Sequence, residues 1–170
     1  KLIIAPHELD GKHIATLLDM FAGCRVVKYS EVIGKENDPK TKLLLRESSI
    51  MIIDTVGILS SVYRYGLFAY IGGGFGAGIH NILEASAFGL PVFFGPNYHK
   101  FNEARELIQL NGAFEVKSAG ELLLKAEELL SDSKKLETAS DISKNYVLNG
   151  SGATERILKS VSRLTKSGIS

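Results

Sequence analysis

A run of glycines, followed by a short apolar stretch with a single acid, is the feature of this sequence most suited to chemistry. The segment "AYIGGGFGAGIHNILEASAFGLPVFFGP" spans 69–96 and places five glycines between Gly72 and Gly78. Glycines let a backbone approach a ligand without interference from Cβ and adopt positive φ. A helix that follows presents unpaired N–H groups, which favour an anionic group, most often phosphate. The pattern therefore predicts an anion-binding loop.

Asn81 and Glu84 are three residues apart, so they share one face of a helix predicted at 79–89. With phosphate at the start of that helix, we expect Glu84 about one turn deeper, where a ribose could reach it. A carboxylate accepts two hydroxyl hydrogen bonds well, which makes Glu84 a candidate sugar clamp. The alternative is that the glycines form a tight turn and Glu84 is solvated. His80 is a candidate for contacting donor phosphate or carboxylate, or for a local backbone contact.

Two familiar phosphate motifs fail to describe this loop. A Walker A loop requires Lys after the last glycine, whereas Ile79 and His80 follow it here. A dinucleotide fingerprint would accept the glycine spacing but also requires an acid about 20 residues later. The chain reads "FFGPN" at that point, so a carboxylate within the helix fits the pattern better.

The elements that must position these residues alternate between strand-like and helix-like segments. Strands are predicted at 1–5, 25–30, 49–55, 67–73, 91–96 and 113–118, and helices at 9–21, 57–66, 79–89, 101–110, 121–130, 132–148 and 151–166. The segment 31–42 is predicted to be an exposed loop. Near-continuous apolar strands with helices between them indicate a parallel sheet covered on both faces. The predicted fold class is α/β, a Rossmann-like doubly wound parallel sheet.

Ligands in such folds bind at the carboxyl ends of the strands. Three loops occupy those positions: Pro6-His7-Glu8, the segment 54–57, and the glycine run. Asp54 is either an acid of the site or a cap of the next turn. His7 and His13 form no pair with a Cys or carboxylate at metal-ligand spacing, so we expect no metal and no cofactor.

Composition excludes several classes of function. The 170 residues are 45% hydrophobic and 23% charged with a net charge of +1, which gives no electrostatic reason to expect nucleic acid or bulk membrane binding. Cys24 is the single cysteine, which favours a reducing cytoplasmic setting, and we expect it to be buried. No signal peptide is seen, nor an apolar run near the roughly 20 residues of a membrane helix.

The segment "GIHNILEASAFGLPVFFGP" resembles the donor-site signature of GT-B glycosyltransferases, a Glu-containing helix followed by Gly-x-Pro-Val. More closely, "DTVGIL", "YIGGGF" and "GIHNILEASAFGLPVFFGPNYHKFNEA" resemble the 3-deoxy-D-manno-octulosonic acid (Kdo) transferases of lipid A assembly. Those enzymes show Asp-Thr-x-Gly-Glu-Leu, a Gly-Gly-Ser/Thr-Phe strand end and Gly-x-His-Asn-x-Leu-Glu. The resemblance extends from Pro6 to about Ala153, and its specific part lies between Asp54 and Asn102.

This resemblance implies a CMP-sugar donor and a set of contacts for it. The implied and candidate donor-binding residues are Pro6, His7, Val56, Gly57, Ile58, Gly73, Gly74, His80, Asn81, Ile82, Leu83 and Glu84. The chain departs from the family at two of them. The family's Pro-Arg-His is replaced by Pro6-His7-Glu8, and the Glu of its Gly-Glu-Leu is Ile58.

The resemblance further implies that 1–170 is the C-terminal, nucleotide-sugar donor-binding domain of an inverting GT-B Kdo transferase. The start "KLIIAPHEL" suggests a piece of a longer polypeptide. The catalytic base is expected in an N-terminal acceptor domain, so no residue here is assigned that role. The full-length protein is expected at the cytoplasmic side of the inner membrane, with a lipid A precursor as acceptor. A UDP-sugar enzyme and a non-catalytic partner-binding module remain alternatives.

Overall fold

Parallel strands organise the part of the chain that the structure describes. The computed structural model describes residues 1–150. The strands are β1 Leu2–Ile4, β2 Val26–Lys28, β3 Ile50–Ile52, β4 Ala69–Ile71, β5 Val92–Phe94 and β6 Ala113–Glu115. They form two three-stranded parallel sheets, ordered β1-β3-β2 and β4-β5-β6. The chain divides into two compact units, one of residues 1–62 and one that starts at Tyr63, and each contains one sheet.

Helices alternate with these strands along the chain. They are α1 Gly11–Met20, α2 Tyr29–Val32, α3 Pro39–Glu47, α4 Leu59–Val62, α5 Leu83–Ala87, α6 Asn102–Leu110, α7 Ala119–Ser131 and α8 Ser133–Gly150, with a 3-10 turn at Tyr63–Tyr65. The predicted α/β class with parallel strands is therefore confirmed. None of the helices in residues 1–150 has both the length and the apolar character that crossing a bilayer requires.

The first unit buries its core between α1 and its sheet. Ile14 of α1 packs with Ile50 and Ile52, and Ile52 is fully buried. The strand β3 lies between β1 and β2, with Ile50 opposite both Leu2 and Val26. The central position of β3 explains its apolar sequence, because both of its edges and its helix-covered face are withdrawn from water.

The second unit is covered on both faces of its sheet. All three residues of β5 are fully buried. Successive side chains of a strand point to opposite faces, and Phe94 joins one apolar cluster while Phe93 joins another with Val116 and Leu129. Phe93 makes an edge contact with Phe68 and stacks on Phe114, at ring-centroid distances of 5.2 and 5.0 Å. The uninterrupted apolar sequence of β5 is thus the consequence of helices on both sides.

The predicted loop at 31–42 is wrong, because helical segments occupy much of it. The helix α2 ends at Val32, and α3 begins at Pro39. Asp38 caps α3 by accepting a hydrogen bond from the amide of Thr41 at 2.9 Å. Pro39 occupies the first helical turn, where a missing N–H costs nothing. Asp38 and Pro39 thus start a helix within a segment whose mixed charge, Gly34 and Pro39 indicate a loop.

Two expectations about burial are also wrong. Cys24 is exposed, since it lies in the turn between α1 and β2, outside the apolar face of α1. In α7, Ala126 and Leu129 are buried as the helical spacing predicts. The same spacing predicts that Leu123 and Leu130 share this buried face, but they are 59% and 45% exposed because the buried stripe is narrower than the apolar sequence.

The ends of two other predicted helices are informative. Asn111 adopts φ 64° and ends α6, as the Asn111-Gly112 pair predicts. The predicted helix 57–66 divides into α4 and the 3-10 turn. The predicted terminal helix 151–166, whose sequence predicts an apolar stripe of Ile157, Leu158, Val161 and Leu164, lies outside the described residues.

Replacing Phe93 by Ala should strongly destabilise the second unit. Removal of a fully buried aromatic ring costs roughly 3–5 kcal/mol. The measurement is the free energy of unfolding in urea, with Phe88→Ala as control because Phe88 is 41% exposed. Equal losses for the two variants would contradict the assigned position of β5 in the core.

Candidate functional site

The glycine run folds into a hydrogen-bonded turn directly after β4. The Gly73 carbonyl accepts hydrogen bonds from the amides of Gly76 at 2.8 Å and Gly78 at 3.3 Å, and the His80 amide donates to the Gly72 carbonyl at 3.2 Å. Gly73 has a φ of 87°, a region that L side chains rarely adopt. A Cβ at Gly73 would lie 2.2 Å from the Gly78 carbonyl oxygen. Closure of the turn itself therefore requires glycine at this position.

The turn also packs against the loop that follows β5. A Cβ on Gly74 would lie 2.6 Å from the nitrogen of Gly95, and a Cβ on Gly95 would lie 2.7 Å from the carbonyl oxygen of Gly74. By contrast, Gly76 is exposed, and a Cβ there would meet only the Gly73 carbonyl at 3.6 Å. Intramolecular packing thus accounts for Gly73 and Gly74, while backbone contact of the turn with a ligand stays a prediction.

Asn81 and Glu84 are held together, as their spacing predicts. The side-chain amide of Asn81 donates to Oε1 of Glu84 at 3.0 Å, and its Oδ1 accepts from the amide of Leu83 at 3.0 Å. Both side chains are exposed. The pair therefore presents an oriented carboxylate to solvent, a few residues after the glycine turn in sequence.

The predicted start of the helix at 79 is wrong. The helix α5 runs only from Leu83 to Ala87, because the side chain of Asn81 occupies the Leu83 amide and the segment before it belongs to the glycine turn. Glu84 consequently lies in the first turn of α5. The prediction that it lies about one turn inside the helix is wrong. A five-residue helix also gives little support to an anion site based on its own dipole.

The remaining expected residues of this segment have different exposures. Ile82 is buried in the apolar core, so only its backbone can face a ligand. Leu83 is half-buried, and His80 is exposed at the end of the turn. Side-chain roles in donor binding are thus open to His80, Asn81 and Glu84, and the contacts themselves stay predictions.

Two further residues of this region, Tyr63 and Asn97, lie outside the set predicted from the sequence. Burial, together with the negative charge of Glu84, raises the pKa of the half-buried Tyr63. Asn97 hydrogen-bonds to the glycine turn, with its amide on the Gly74 carbonyl and its side chain on the Gly76 carbonyl. The order Gly-Pro-Asn after a strand is a turn signal that would have indicated Asn97, whereas no local pattern connects Tyr63 with Glu84.

In the first unit, the loop after β1 borders a cavity of about 360 Å³. Pro6 and His7 line it together with His13, Thr16 and Leu17 of α1. The loop is fixed at its far end because Asp10 caps α1, accepting hydrogen bonds from the amides of the second and third helical residues. The structure therefore places two of the expected donor-binding residues beside a concave surface.

His13 lies between two carboxylates, contrary to the expectation that no carboxylate stands at ligand spacing from it. Its Nδ1 is 2.5 Å from Asp10 and its Nε2 is 3.0 Å from Glu8. The side-chain hydrogen bond with Asp10, followed by the charges of Asp10 and Glu8, raises the pKa of His13. One potential metal-ligating atom from each of Glu8, Asp10 and His13 lies within 4.8 Å of the other two. A protonated His13 donates from both ring nitrogens, so it satisfies both carboxylates itself.

Asp54 connects the carboxyl ends of β3 and β2. Its carboxylate accepts hydrogen bonds from the amide of Ser30 at 2.9 Å and from the Ser30 hydroxyl at 2.5 Å. Burial opposes ionisation, but the hydrogen bonds from Ser30 outweigh it and hold the pKa of Asp54 below its usual value. Asp54 therefore joins two strand ends. Its carboxylate bonds to Ser30 and does not cap the turn that follows Asp54, which was the alternative role.

Val56, Gly57 and Ile58, three of the predicted donor-binding residues, lie directly before α4. Val56 is 84% exposed, and Gly57 has a φ of 87°. The carbonyl of Ile58 accepts hydrogen bonds from the amides of Ser61 and Val62, which begins the helix. Ile58 is half-buried, so this loop offers an exposed apolar side chain and backbone groups to a ligand.

A cavity of about 520 Å³ lies elsewhere in the second unit, between α7 and α8. Asn111 lines it at the amino end of β6, and Phe114 and Leu129 contribute apolar surface. Glu128 and Lys135 form an ion pair at 2.6 Å among its lining residues. Ligands of α/β sheets bind at the opposite, carboxyl ends of the strands, so this cavity is separate from the candidate site.

The chain is similar in sequence to several 3-deoxy-D-manno-octulosonic acid transferases. A 3-deoxy-D-manno-octulosonic acid transferase from Aquifex aeolicus is 42% identical over 93 residues, covering 54% of this chain and 26% of that protein. The transferase from Rickettsia bellii is 30% identical over 149 residues, covering 87% of this chain and 34% of that protein. No family model matches the chain. The resemblance to Kdo transferases that the motifs indicate is therefore confirmed.

A solved structure has the same fold. The C-terminal CMP-Kdo binding domain of WaaA from Acinetobacter baumannii superimposes with a TM-score of 0.69 over 85% of this chain and 72% of that one, at 18% identity. The predicted Rossmann-like α/β fold class is confirmed. The chain spans about a quarter to a third of the length of the curated relatives described above.

The glycine turn allows a test of whether its residues serve the fold or leave room for a ligand. Gly74→Ala should lower the free energy of unfolding by roughly 1–3 kcal/mol, because its Cβ would overlap the backbone of Gly95. Gly76→Ala should leave stability nearly unchanged, since its surroundings are open. Urea unfolding of both variants checks this, and a stable Gly74→Ala would contradict the contact between the two loops.

Proposed function

We propose that the chain is the nucleotide-sugar donor-binding domain, residues 1–170, of a Kdo transferase and that it binds CMP-Kdo. The observation that carries the proposal is the exposed carboxylate of Glu84, held by Asn81, in a chain similar in sequence to Kdo transferases. A carboxylate in this state accepts hydrogen bonds from vicinal ribose hydroxyls without first having to be oriented.

The glycine turn is proposed to contact the donor phosphate through its backbone. Within residues 1–150, the amides of Phe75 and Ala77 donate no hydrogen bond, and both residues are exposed. Exposed amides on a turn that is fixed by its own hydrogen bonds suit an anion, because little order has to be gained on binding. The phosphate is therefore proposed to bind at the glycine turn and not at the start of a helix, since α5 begins five residues after Gly78.

In the first unit, the proposal assigns donor contacts to Pro6 and His7 and to the loop Val56-Gly57-Ile58. The cavity beside Pro6 and His7 supports the first of these. Exposed Val56 and the backbone near Gly57 support the second. The Arg and Glu of the family pattern are absent at His7 and Ile58, so the contribution there is proposed to come mainly from backbone groups.

Transfer of Kdo to a lipid A precursor, with inversion, is proposed for the full-length protein. The base is assigned to an N-terminal acceptor domain, and the site of action to the cytoplasmic side of the bacterial inner membrane. No residue of this chain is proposed as the base. The relatives are about three to four times as long as the matched segments, which leaves room in them for an acceptor domain.

Glu84→Ala should weaken CMP binding at least about tenfold, since a hydrogen bond to a charged group contributes roughly 1.5–3 kcal/mol. Glu84→Gln retains an acceptor for Asn81 and should show a smaller loss. Isothermal titration with CMP provides the measurement.

The control for this experiment is Glu127→Gln, at an exposed position of α7. Competition with UDP tests the alternative donor, and the absence of any nucleotide-induced thermal shift would favour a partner-binding module. Unchanged CMP affinity in folded Glu84→Ala would remove Glu84 from the proposed site.

The 170-residue chain alone should transfer no sugar when mixed with CMP-Kdo and a lipid A precursor, because the proposed base lies in another domain. Mass spectrometry of the lipid product checks this over a range of protein concentrations. Appreciable product would place the base within this chain and overturn the assignment of a donor-binding domain.

A further inference from the structure

We infer that Asn97 is a positioning residue that fixes the glycine turn for phosphate binding, an inference that rests on the proposed function. Asn97 lies in the loop after β5, and its side chain is exposed. Its conformation therefore cannot be explained by burial in the core. Its contacts with the turn provide the explanation.

Asn97 contacts the glycine turn at two points. Its backbone amide donates to the carbonyl of Gly74 at 2.9 Å, and its side-chain Nδ2 donates to the carbonyl of Gly76 at 2.8 Å. The two carbonyls are two residues apart, so Asn97 spans the exposed tip of the turn that contains Phe75. The close approach of Gly74 to Gly95 holds the base of the same turn.

The side-chain contact is important because the tip has few other restraints. Gly76 donates to the Gly73 carbonyl, but no side chain other than that of Asn97 hydrogen-bonds to residues 74–77 within the described part of the chain. A glycine-rich tip loses more conformational entropy on ordering than other sequences. By ordering the tip before a ligand arrives, Asn97 reduces the entropic cost of binding through the amides of Phe75 and Ala77.

The contact also determines the direction of the peptide groups. A peptide unit is planar, so fixing the Gly76 carbonyl fixes the opposite direction of the Ala77 amide N–H. The carbonyl of Gly76 is thereby directed at Asn97, and the Ala77 amide points away from it. An anion at the tip meets a donor instead of a carbonyl oxygen because of this orientation.

Asn97→Ala tests the inference because it removes the side-chain contact and keeps the backbone one. Isothermal titration compares CMP with cytidine, which lacks the phosphate. We expect about five- to tenfold weaker CMP binding, the effect of one neutral hydrogen bond, and an unchanged affinity for cytidine. Exchange of the Gly76 amide, which donates to the Gly73 carbonyl, should become faster in the same variant.

The matched control is Asn145→Ala, at an exposed position on α8, and Asn97→Ser is a second variant whose shorter side chain cannot reach Gly76. Equal losses for CMP and cytidine with a lowered Tm would show a merely structural role and overturn the inference. Faster exchange with unchanged CMP affinity would also overturn it. Failure of the unaltered chain to bind CMP would contradict the proposed function itself, and the exchange data would then report only the contact.

Discussion

Burial of β5 on both faces is the constraint on which the second unit depends. Phe93 packs on one side and Phe94 on the other, so a shift of one residue would exchange the two faces of the strand. The resulting register places Ile71, the last residue of β4, beside Phe94, the last residue of β5. The turn after β4 and the loop after β5 therefore emerge side by side. The contact between Gly74 and Gly95 is a consequence of this register.

That contact changes the interpretation of the glycine run. Glycines before a helix suggest room for a ligand, yet Gly73 and Gly74 are required by the protein's own backbone. The turn is consequently ordered without a ligand, and its exposed tip offers amides in fixed directions. Such an arrangement suits anion binding, because the ordering entropy belongs to folding and is not lost again on association.

The sequence predicted the fold class because apolar periodicity reports burial directly, as in the uninterrupted strand β5. It failed where a single side chain decides a boundary. Asn81 starts α5 four residues later than the apolar pattern predicts, and Asp38 begins a helix in a predicted loop. The pairing of Asn81 with Glu84 could be predicted from their spacing, and their contact with a ligand stays a prediction. The turn at Asn97 has a local signal, but its contact with the glycine turn could not be predicted, because it depends on two loops whose bonded residues are 21 apart in sequence.

Asn81 and Asn97 solve the same physical problem at different groups. A flexible carboxylate or a glycine-rich tip binds weakly when binding must also order it. Asn81 donates to Oε1 of Glu84, while Oε2 makes no hydrogen bond within residues 1–150. The carboxylate thus keeps acceptor capacity for two hydroxyls and loses only its freedom to rotate. Short amide side chains suit this task, because they restrain a neighbour without adding a charge that would repel or attract the phosphate of a nucleotide.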